Sequence, residues 1–499
     1  MSTRPAPFQA GLLDALGVKI TRLVTDSREI APGDTFVAYR GLTADGRHFI
    51  GQAIARGANA VIWEPEKFAW DASWQVPNLA VRDLRHHAGD IASHVYGAPS
   101  KSLWVVGVTG TNGKTSCSHW LAASFAALGR KTALIGTLGN GFPGALEATL
   151  NTTPDAIRVH GLLAGYVRQG AAGVVMEVSS HALAQGRVNA VKYDVALLTN
   201  LSRDHLDYHG DMESYAAAKR RLFDWPQLKY AVLNLDDPFG ADLASRLENS
   251  GVEVIGYGLD QSALKFAEAR GLRMVHGAGL RMTQTGLTLT IHSSWGGAAL
   301  ASRMVGRFNA SNLLGALAVL LVSGISLGDA VRELGQVQAA PGRMQSLGGG
   351  GRPAVVVDYA HTPDALAKVL QSLRETGGGG KLVCVFGCGG DRDAGKRPMM
   401  GQVASRLADV CIVTSDNPRS EPPMQIIDAI VSGMSGSPWR TIEDRAAAIR
   451  TAISDAAATD TVLLAGKGHE TYQEILGVKH PFSDIEHAQR ALDSWRAHA

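Results

Sequence analysis

Cysteine is scarce in this chain of 499 residues: Cys117, Cys384, Cys388 and Cys411 are its only four. They lack the paired short spacings and histidine partners of a structural zinc site, so reduced, buried thiols are expected. Long apolar runs are also missing. The longest, residues 313–322, is far too short to span a bilayer, and residues 1–7 hold no apolar signal core, which points to the cytoplasm. A dominant charge sign is absent as well, because 48 basic residues are scattered among 46 acidic ones for a net charge of +2. That excludes a broad nucleic-acid or membrane-surface footprint, so an anion must be bound locally. There is no fixed-period repeat and no low-complexity tract.

What remains is ordinary globular material, 45% hydrophobic and 19% charged. The length exceeds what one hydrophobic core organises and predicts three domains. Residues 1–98 mix short strand-like runs (20–24, 35–39, 60–63) with an amphipathic stretch at 50–56. They end in the turn-rich Gly97-Ala98-Pro99-Ser100. From residue 99, apolar strands at 103–108, 132–135, 173–178 and 195–199 alternate with helical stretches, the pattern of βαβ units and a parallel sheet. A second doubly wound domain starts near residue 339, with strands at 354–357, 382–386, 410–414 and 462–464. The predicted fold is therefore α/β: a small mixed amino-terminal domain (1–98), a central parallel-sheet domain of the P-loop ATPase kind (99–338) and a Rossmann-like carboxy-terminal domain (339–499).

Thr109-Gly110-Thr111-Asn112-Gly113-Lys114-Thr115-Ser116 follows a strand and opens a helix. Glycines there let backbone N–H groups converge on phosphate, the helix start adds positive potential, and Lys114 can reach the outer phosphates of ATP. Thr115 is placed to offer a hydroxyl to Mg²⁺. The spacing departs from the usual Gly-x4-Gly-Lys-[Ser/Thr], since Gly107 lies one residue early and Val108 occupies the expected glycine position. Glu177 ends one strand and is followed by Ser179, Ser180 and His181. Another strand leads to Asp204, His205 and Asp207. Strand ends of this kind collect metal and phosphate ligands in open parallel sheets. Lys219 sits on a predicted helix beside Arg220 and Arg221 and reads, on its own, as part of a solvated face.

These motifs, together with Asn151-Thr152-Thr153-Pro154-Asp155, Gly306-Arg307-Phe308-Asn309-Ala310-Ser311-Asn312, Pro341-Gly342-Arg343 and Asp358-Tyr359-Ala360-His361, resemble the Mur ligase family in order along nearly the whole chain. The displaced glycine belongs to that family's form of the loop. The resemblance implies ATP binding by Gly110 to Ser116, with Asn309, Asn312, Arg343 and Asp358. It also implies magnesium on Thr115, Glu177, His205 and a carbamylated Lys219, with Lys114, Glu177, His205 and Lys219 as the catalytic set. An ammonium beside divalent cations would be repelled, whereas CO₂ on the neutral amine gives a carboxylate.

The likeness is greatest to members that add meso-2,6-diaminopimelate to UDP-N-acetylmuramoyl-L-alanyl-D-glutamate. Thr25, Ser27, Asn151, Thr152, Thr153, Ser179, Gln185 and Arg187 match the sugar-nucleotide contacts. Leu42-Thr43-Ala44 fall where some members place His-Gln, which leaves Thr43 or backbone groups for that contact. Asp416-Asn417-Pro418-Arg419 and Gly466-Lys467-Gly468-His469-Glu470 each follow a strand. Diaminopimelate carries a second carboxylate and ammonium at its far end, which suits the fork of Arg419 and the carboxylate of Glu470. Asp416, Asn417, Pro418, Gly466 and Arg392 complete that expected site. Read without the family, the same tetrapeptide is an ordinary Asn-Pro turn with a surface arginine. The remaining readings are the same ligation with L-lysine, folylpolyglutamate synthesis, and a phosphate-loop protein that only senses nucleotide. Small-molecule partners and a monomer are expected.

Overall fold

Alternation of apolar residues along short strands sets the first layer of the computed structural model, which describes residues 8–41, 44–149, 151–283, 286–376 and 379–496. Leu42 and Thr43, expected near the sugar nucleotide, lie outside those residues. The chain divides into two units of interleaved segments: residues 1–109, 125–196 and 218–231, and residues 110–124, 197–217 and 232–499.

In the first unit, Leu23–Val24, Thr35–Ala38, Ala60–Trp63 and Asn78–Ala80 form a four-stranded parallel sheet in chain order. Successive side chains point to opposite faces of a strand. Val37 and Ile62 therefore join Leu13, Leu84 and Ile91 in one cluster, while Phe36, Val61 and Trp63 join Ile50 and Ala53 in another. Farther along, Gly173–Glu177 pairs in parallel with Trp104–Thr109 on one side and Thr132–Gly136 on the other. The antiparallel strands Gly139–Phe142 and Ala145–Glu147 extend this sheet.

The second unit contains Glu253–Gly258 in parallel with Arg273–Thr283, which continues antiparallel into Gly286–Ser293 and Gly296–Ser302. Helix Arg307–Val322 carries the longest apolar run of the sequence and buries nearly all of it, including Leu313, Leu317 and Leu320. A helix apolar all round belongs inside a large core. The last sheet has the order Gln345–Gly348, Ala354–Asp358, Thr461–Ala465, Leu382–Phe386, Val410–Val413, Trp439–Thr441. All of its neighbours are parallel except the first pair. One face buries Leu366, Met400 and Ile427. The other buries Ile449, Ile453 and Leu492. Helices on both faces make the sheet doubly wound.

The expected strands occur within a few residues of their predicted limits, but beyond the amino-terminal sheet the pairing is mixed rather than purely parallel. The antiparallel additions at 139–147 and 273–302 are rich in Gly, Ala and Ser, and exposed side chains interrupt the apolar pattern that marks a buried parallel strand. None of the four cysteines is in a disulfide, and all are buried. Among the described residues no helix is long and apolar enough to cross a membrane.

Candidate functional site

Helix Lys114–Ala127 begins at the end of the glycine loop. Gly110 and Gly113 have φ values of +144° and +86°, and a Cβ on Gly113 would stand 2.5 Å from Asn312 Oδ1. Glycine is needed there on two counts. The loop is pinned from the Thr199-Asn200 segment: Thr111 N donates to Asn200 O at 2.9 Å, Asn112 N to Asn200 Oδ1 at 3.0 Å, and the Thr199 hydroxyl to Asn112 O at 2.6 Å. Lys114 Nζ folds across the loop, donating to the carbonyls of Gly110 and Thr111 at 2.9 Å each. Arg343 stacks over the Tyr359 ring at 4.5 Å and donates from Nη2 to Thr115 Oγ1 at 3.3 Å. Beside it, Asp358 accepts from Met344 N at 2.8 Å. Full burial pushes the Asp358 carboxyl up, against the opposing pull of Arg343.

A cavity of about 380 Å³ opens against this loop. Among the residues expected at the nucleotide, Asn112, Gly113, Ser116, Asn309, Asn312, Arg343 and Asp358 line it, whereas Gly110, Thr111, Lys114 and Thr115 do not. It also takes in Asp236, Asp237 and Lys368, which sequence reasoning missed, and Arg307 and Tyr359, which lie in the motifs quoted above but were given no role there. The signal for the two aspartates was available, since they follow the strand Tyr230–Asn234. Asp237 accepts from Leu201 N and caps helix Pro238–Arg246 through Phe239 N, while Asp236 accepts from Leu259 N. Burial raises both carboxyls.

Glu177 closes its strand fully buried. Its Oε1 accepts from Thr137 N at 2.9 Å and its Oε2 lies 3.0 Å from the Thr137 hydroxyl, which in turn is 3.1 Å from that of Thr152. A Cβ on Gly136 would clash with the Glu177 carboxylate. Thr153 donates its hydroxyl to Glu177 O at 2.8 Å and accepts from Ser179 N at 3.2 Å. Arg187 donates to Thr153 O and to Gln185 Oε1, at 2.9 Å each. Thr152, Thr153, Glu177, Ser179, Gln185 and Arg187 thus form one connected network, in which Thr137 is the member sequence reasoning missed. Ser27 donates to Gln52 Oε1 at 2.8 Å. Thr25 is partly buried and Asn151 is exposed.

Lys219 is only 1% exposed, so its reading as a solvated helix face is wrong. The helical position was right, but its apolar neighbours Ala216, Ala217 and Ala218 leave room for packing rather than solvent. His205 enters helix Leu206–His209 at φ +56°. Its Nε2 lies 3.3 Å from Asp204 Oδ2, which also stands 3.7 Å from His361 Nε2. Burial opposes ionisation of Asp204, but hydrogen bonding to His361 and the charges of His361, His205 and Lys396 hold its carboxyl well below the usual range. Among the described residues no group of three or more His, Cys, Asp or Glu is clustered to hold a metal.

In the last sheet, Asp416-Asn417-Pro418-Arg419 follows the strand Val410–Val413, and Gly466 to Glu470 follows Thr461–Ala465. Arg419 has φ +51°. It donates from Nη1 to Gly390 O at 2.7 Å, pairs through Nε with Glu474 at 3.3 Å, and bonds through its backbone N to Glu474 O at 3.0 Å. An ordinary surface arginine would not be held from three directions. Asn417 Nδ2 donates to Glu470 Oε2 at 2.7 Å. A Cβ on Gly466 would lie 2.7 Å from Asp416 Oδ2, and one on Gly389 would lie 2.9 Å from Arg419 Nη1. Arg392 stays exposed, with its nearest hydrogen-bond acceptor the Asp391 carbonyl at 3.4 Å. Lys467 and Glu474, absent from the expected set, tie these loops together.

Three family models cover the chain: the Mur ligase family catalytic domain at residues 19–96, the Mur ligase middle domain at 108–320 and the Mur ligase glutamate ligase domain at 342–468. The chain belongs to the Mur ligase family. It is a carbon–nitrogen ligase of three-domain α/β architecture. A relative from Chromobacterium violaceum, named UDP-N-acetylmuramoyl-L-alanyl-D-glutamate–2,6-diaminopimelate ligase, is 54% identical over 98% of this chain and 97% of its own. A relative of the same name from Nitrosomonas europaea is 52% identical over 97% and 95%. A solved structure of a ligase with that name superposes at a TM-score of 0.66, with 38% identity over 95% of each chain.

Proposed function

We propose that this Mur ligase joins meso-2,6-diaminopimelate to the γ-carboxylate of D-glutamate in UDP-N-acetylmuramoyl-L-alanyl-D-glutamate, using ATP, in peptidoglycan synthesis. The observation that carries the reading is the threefold hold on Arg419, from Gly390 O and from the carboxylate and carbonyl of Glu474, in the same loop whose Asn417 bonds the carboxylate of Glu470. Full-length relatives bearing that activity in their names support it. Separate amino-acid, nucleotide and sugar-nucleotide regions at 339–499, 99–338 and 1–98, action as a cytoplasmic monomer, and small molecules as the only partners complete the proposal.

A carboxylate is a poor electrophile. The γ-carboxylate oxygen therefore attacks the γ-phosphorus of ATP, ADP leaves, and an acyl phosphate forms. The amine of diaminopimelate then attacks the acyl carbon, phosphate leaves with the C–O electron pair, and the amine gives up a proton. Gly110 to Ser116 hold the phosphates through backbone N–H groups, and Lys114 exchanges its loop carbonyls for phosphate oxygens. Asn309, Asn312, Arg343 and Asp358 hold the rest of the nucleotide. Thr25, Ser27, Asn151, Thr152, Thr153, Ser179, Gln185 and Arg187 orient the sugar nucleotide. Asp416, Asn417, Pro418, Arg419, Gly466, Glu470 and Arg392 take the amino acid.

The fully buried Glu177 carboxylate is a hard oxygen donor of the kind magnesium takes. Glu177, His205, Thr115 and Lys219 would hold the ion, which supplies charge neutralisation on the phosphoryl oxygens. Lys219 is buried, and CO₂ adding to the nitrogen of its neutral amine, with release of a proton, would give the carbamate oxygen ligand.

Purified ligase offered equal meso-diaminopimelate and L-lysine, with ATP, magnesium and the UDP-dipeptide, is expected to form the diaminopimelate product alone. Preferential lysine incorporation, or sustained ADP release without the UDP-dipeptide, would refute the reading.

A further inference from the structure

Lys467 is completely buried in the loop after Thr461–Ala465, with its side chain at 0% exposure. Nζ donates to Asn417 Oδ1 and to Glu470 Oε2, at 3.1 Å each, and stands 3.6 Å from Asp416 Oδ1. Asn417 closes the ring, since its Nδ2 donates to the same Glu470 oxygen and its Oδ1 also accepts from Glu474 N at 2.9 Å. A buried ammonium persists where its protons are satisfied and its charge is balanced. Here Lys467 faces two carboxylates, Asp416 and Glu470, that are themselves 8% and 16% exposed, while the buried Arg445, whose charge also reaches both, is neutralised by its own pair with Asp484. One negative charge is left over.

The ring also fixes orientation. With Oδ1 committed to Lys467 and Glu474, the Asn417 amide cannot exchange its ends, so Nδ2 faces Glu470. Glu470 in turn keeps one oxygen on Lys467 and Asn417, and its other oxygen, Oε1, accepts no hydrogen bond among the described residues.

We propose that Lys467 is the positioning residue of the amino-acid site: it sets the geometry of Asn417 and Glu470 and cancels one of two buried carboxylates, leaving a single negative charge for a substrate ammonium. This rests on the proposed function and explains how Glu470 is kept in place for a diamino acid. Without the cation, Asp416 and Glu470 repel each other and Glu470 loses its anchor.

Lys467→Met keeps the length and apolar stem while removing the charge. In steady-state kinetics of the full chain with all three substrates, its KM for meso-diaminopimelate is expected to rise at least about tenfold, the size of one lost charge-assisted hydrogen bond. The KM values for ATP and UDP-dipeptide should stay within about twofold. An unchanged KM for diaminopimelate or a parallel rise in all three constants would overturn the proposal. Should Lys467→Met fail to fold, a crystal structure of the unaltered enzyme with meso-diaminopimelate decides. Lys467 still bonded to Asn417 and Glu470, with Glu470 meeting the ligand ammonium, is expected; a Glu470 that leaves Lys467 to reach the ligand overturns it. Turnover of diaminopimelate by the unaltered enzyme, measured first, tests the parent reading separately.

Discussion

Thr137 grips both oxygens of Glu177, one through its backbone N–H and one through its hydroxyl. Thr137→Val keeps the shape and the backbone bond but leaves Oε2 without that partner, a loss of about 1–3 kcal/mol in a buried setting. If Glu177 serves phosphoryl transfer, kcat falls on the order of tenfold or more while KM for the amino acid holds. Unaltered kcat would remove Glu177 from the chemistry. At the other end of the reaction, Arg419→Lys preserves charge but loses the fork and the Nε contact to Glu474. KM for diaminopimelate should rise about tenfold or more with KM for ATP unmoved, as read from initial rates. The glycine loop was legible as a turn between strand and helix, where Gly110 and Gly113 take positive φ. Thr137, Lys467 and Glu474 were not. They touch other residues rather than ligand, and nothing in their local pattern announces a partner distant in the chain.

Helices Leu84–Val95 and Ala156–Arg168 show what decides packing at the level of elements. Gly89 lies where a Cβ would clash with the backbone carbonyl of Asn189, and the same carbonyl meets His160 Nε2 at 2.9 Å. Gly89→Ala gains helix propensity but forces backbone apart, so a net loss of about 1–3 kcal/mol is expected in chemical denaturation. Burial lowers His160 from 6.5 to about 4, and it lowers His469 to about 4 as well. Between those limits the unfolded chain binds protons that the folded chain refuses. Stability is therefore full above pH 6.5 and is lost as pH falls toward 4, by about 3 kcal/mol per histidine. His160→Gln, which cannot take up that proton, should show a smaller fall in melting temperature between pH 7 and pH 4.5; an equal fall would contradict the assignment. Parallel strands were readable because buried apolar runs such as Leu382–Phe386 have one interpretation beside helices. The strands Arg273–Thr283 and Gly296–Ser302 were not, because half-exposed glycine, alanine and serine carry no distinctive period.

Across the whole molecule, chain order and spatial grouping diverge. The glycine loop groups with residues 232–499, while Glu177 and Lys219 group with the amino-terminal residues. Sequence could list the parts of a nucleotide-dependent ligase in order, since each motif is local. It could not say which of them share a cavity, as Asn112, Asn312, Arg343 and Asp358 do with Asp236 and Lys368. The central claim is chemical: the dipeptide carboxylate is phosphorylated before the amine arrives. Synthesis of the UDP-dipeptide with heavy oxygen in both positions of the D-glutamate γ-carboxylate tests it most directly. After turnover with ATP, magnesium and meso-diaminopimelate, the account predicts one labelled oxygen in the released phosphate and one retained in the new amide. Phosphate free of label, with tripeptide formed, would contradict it.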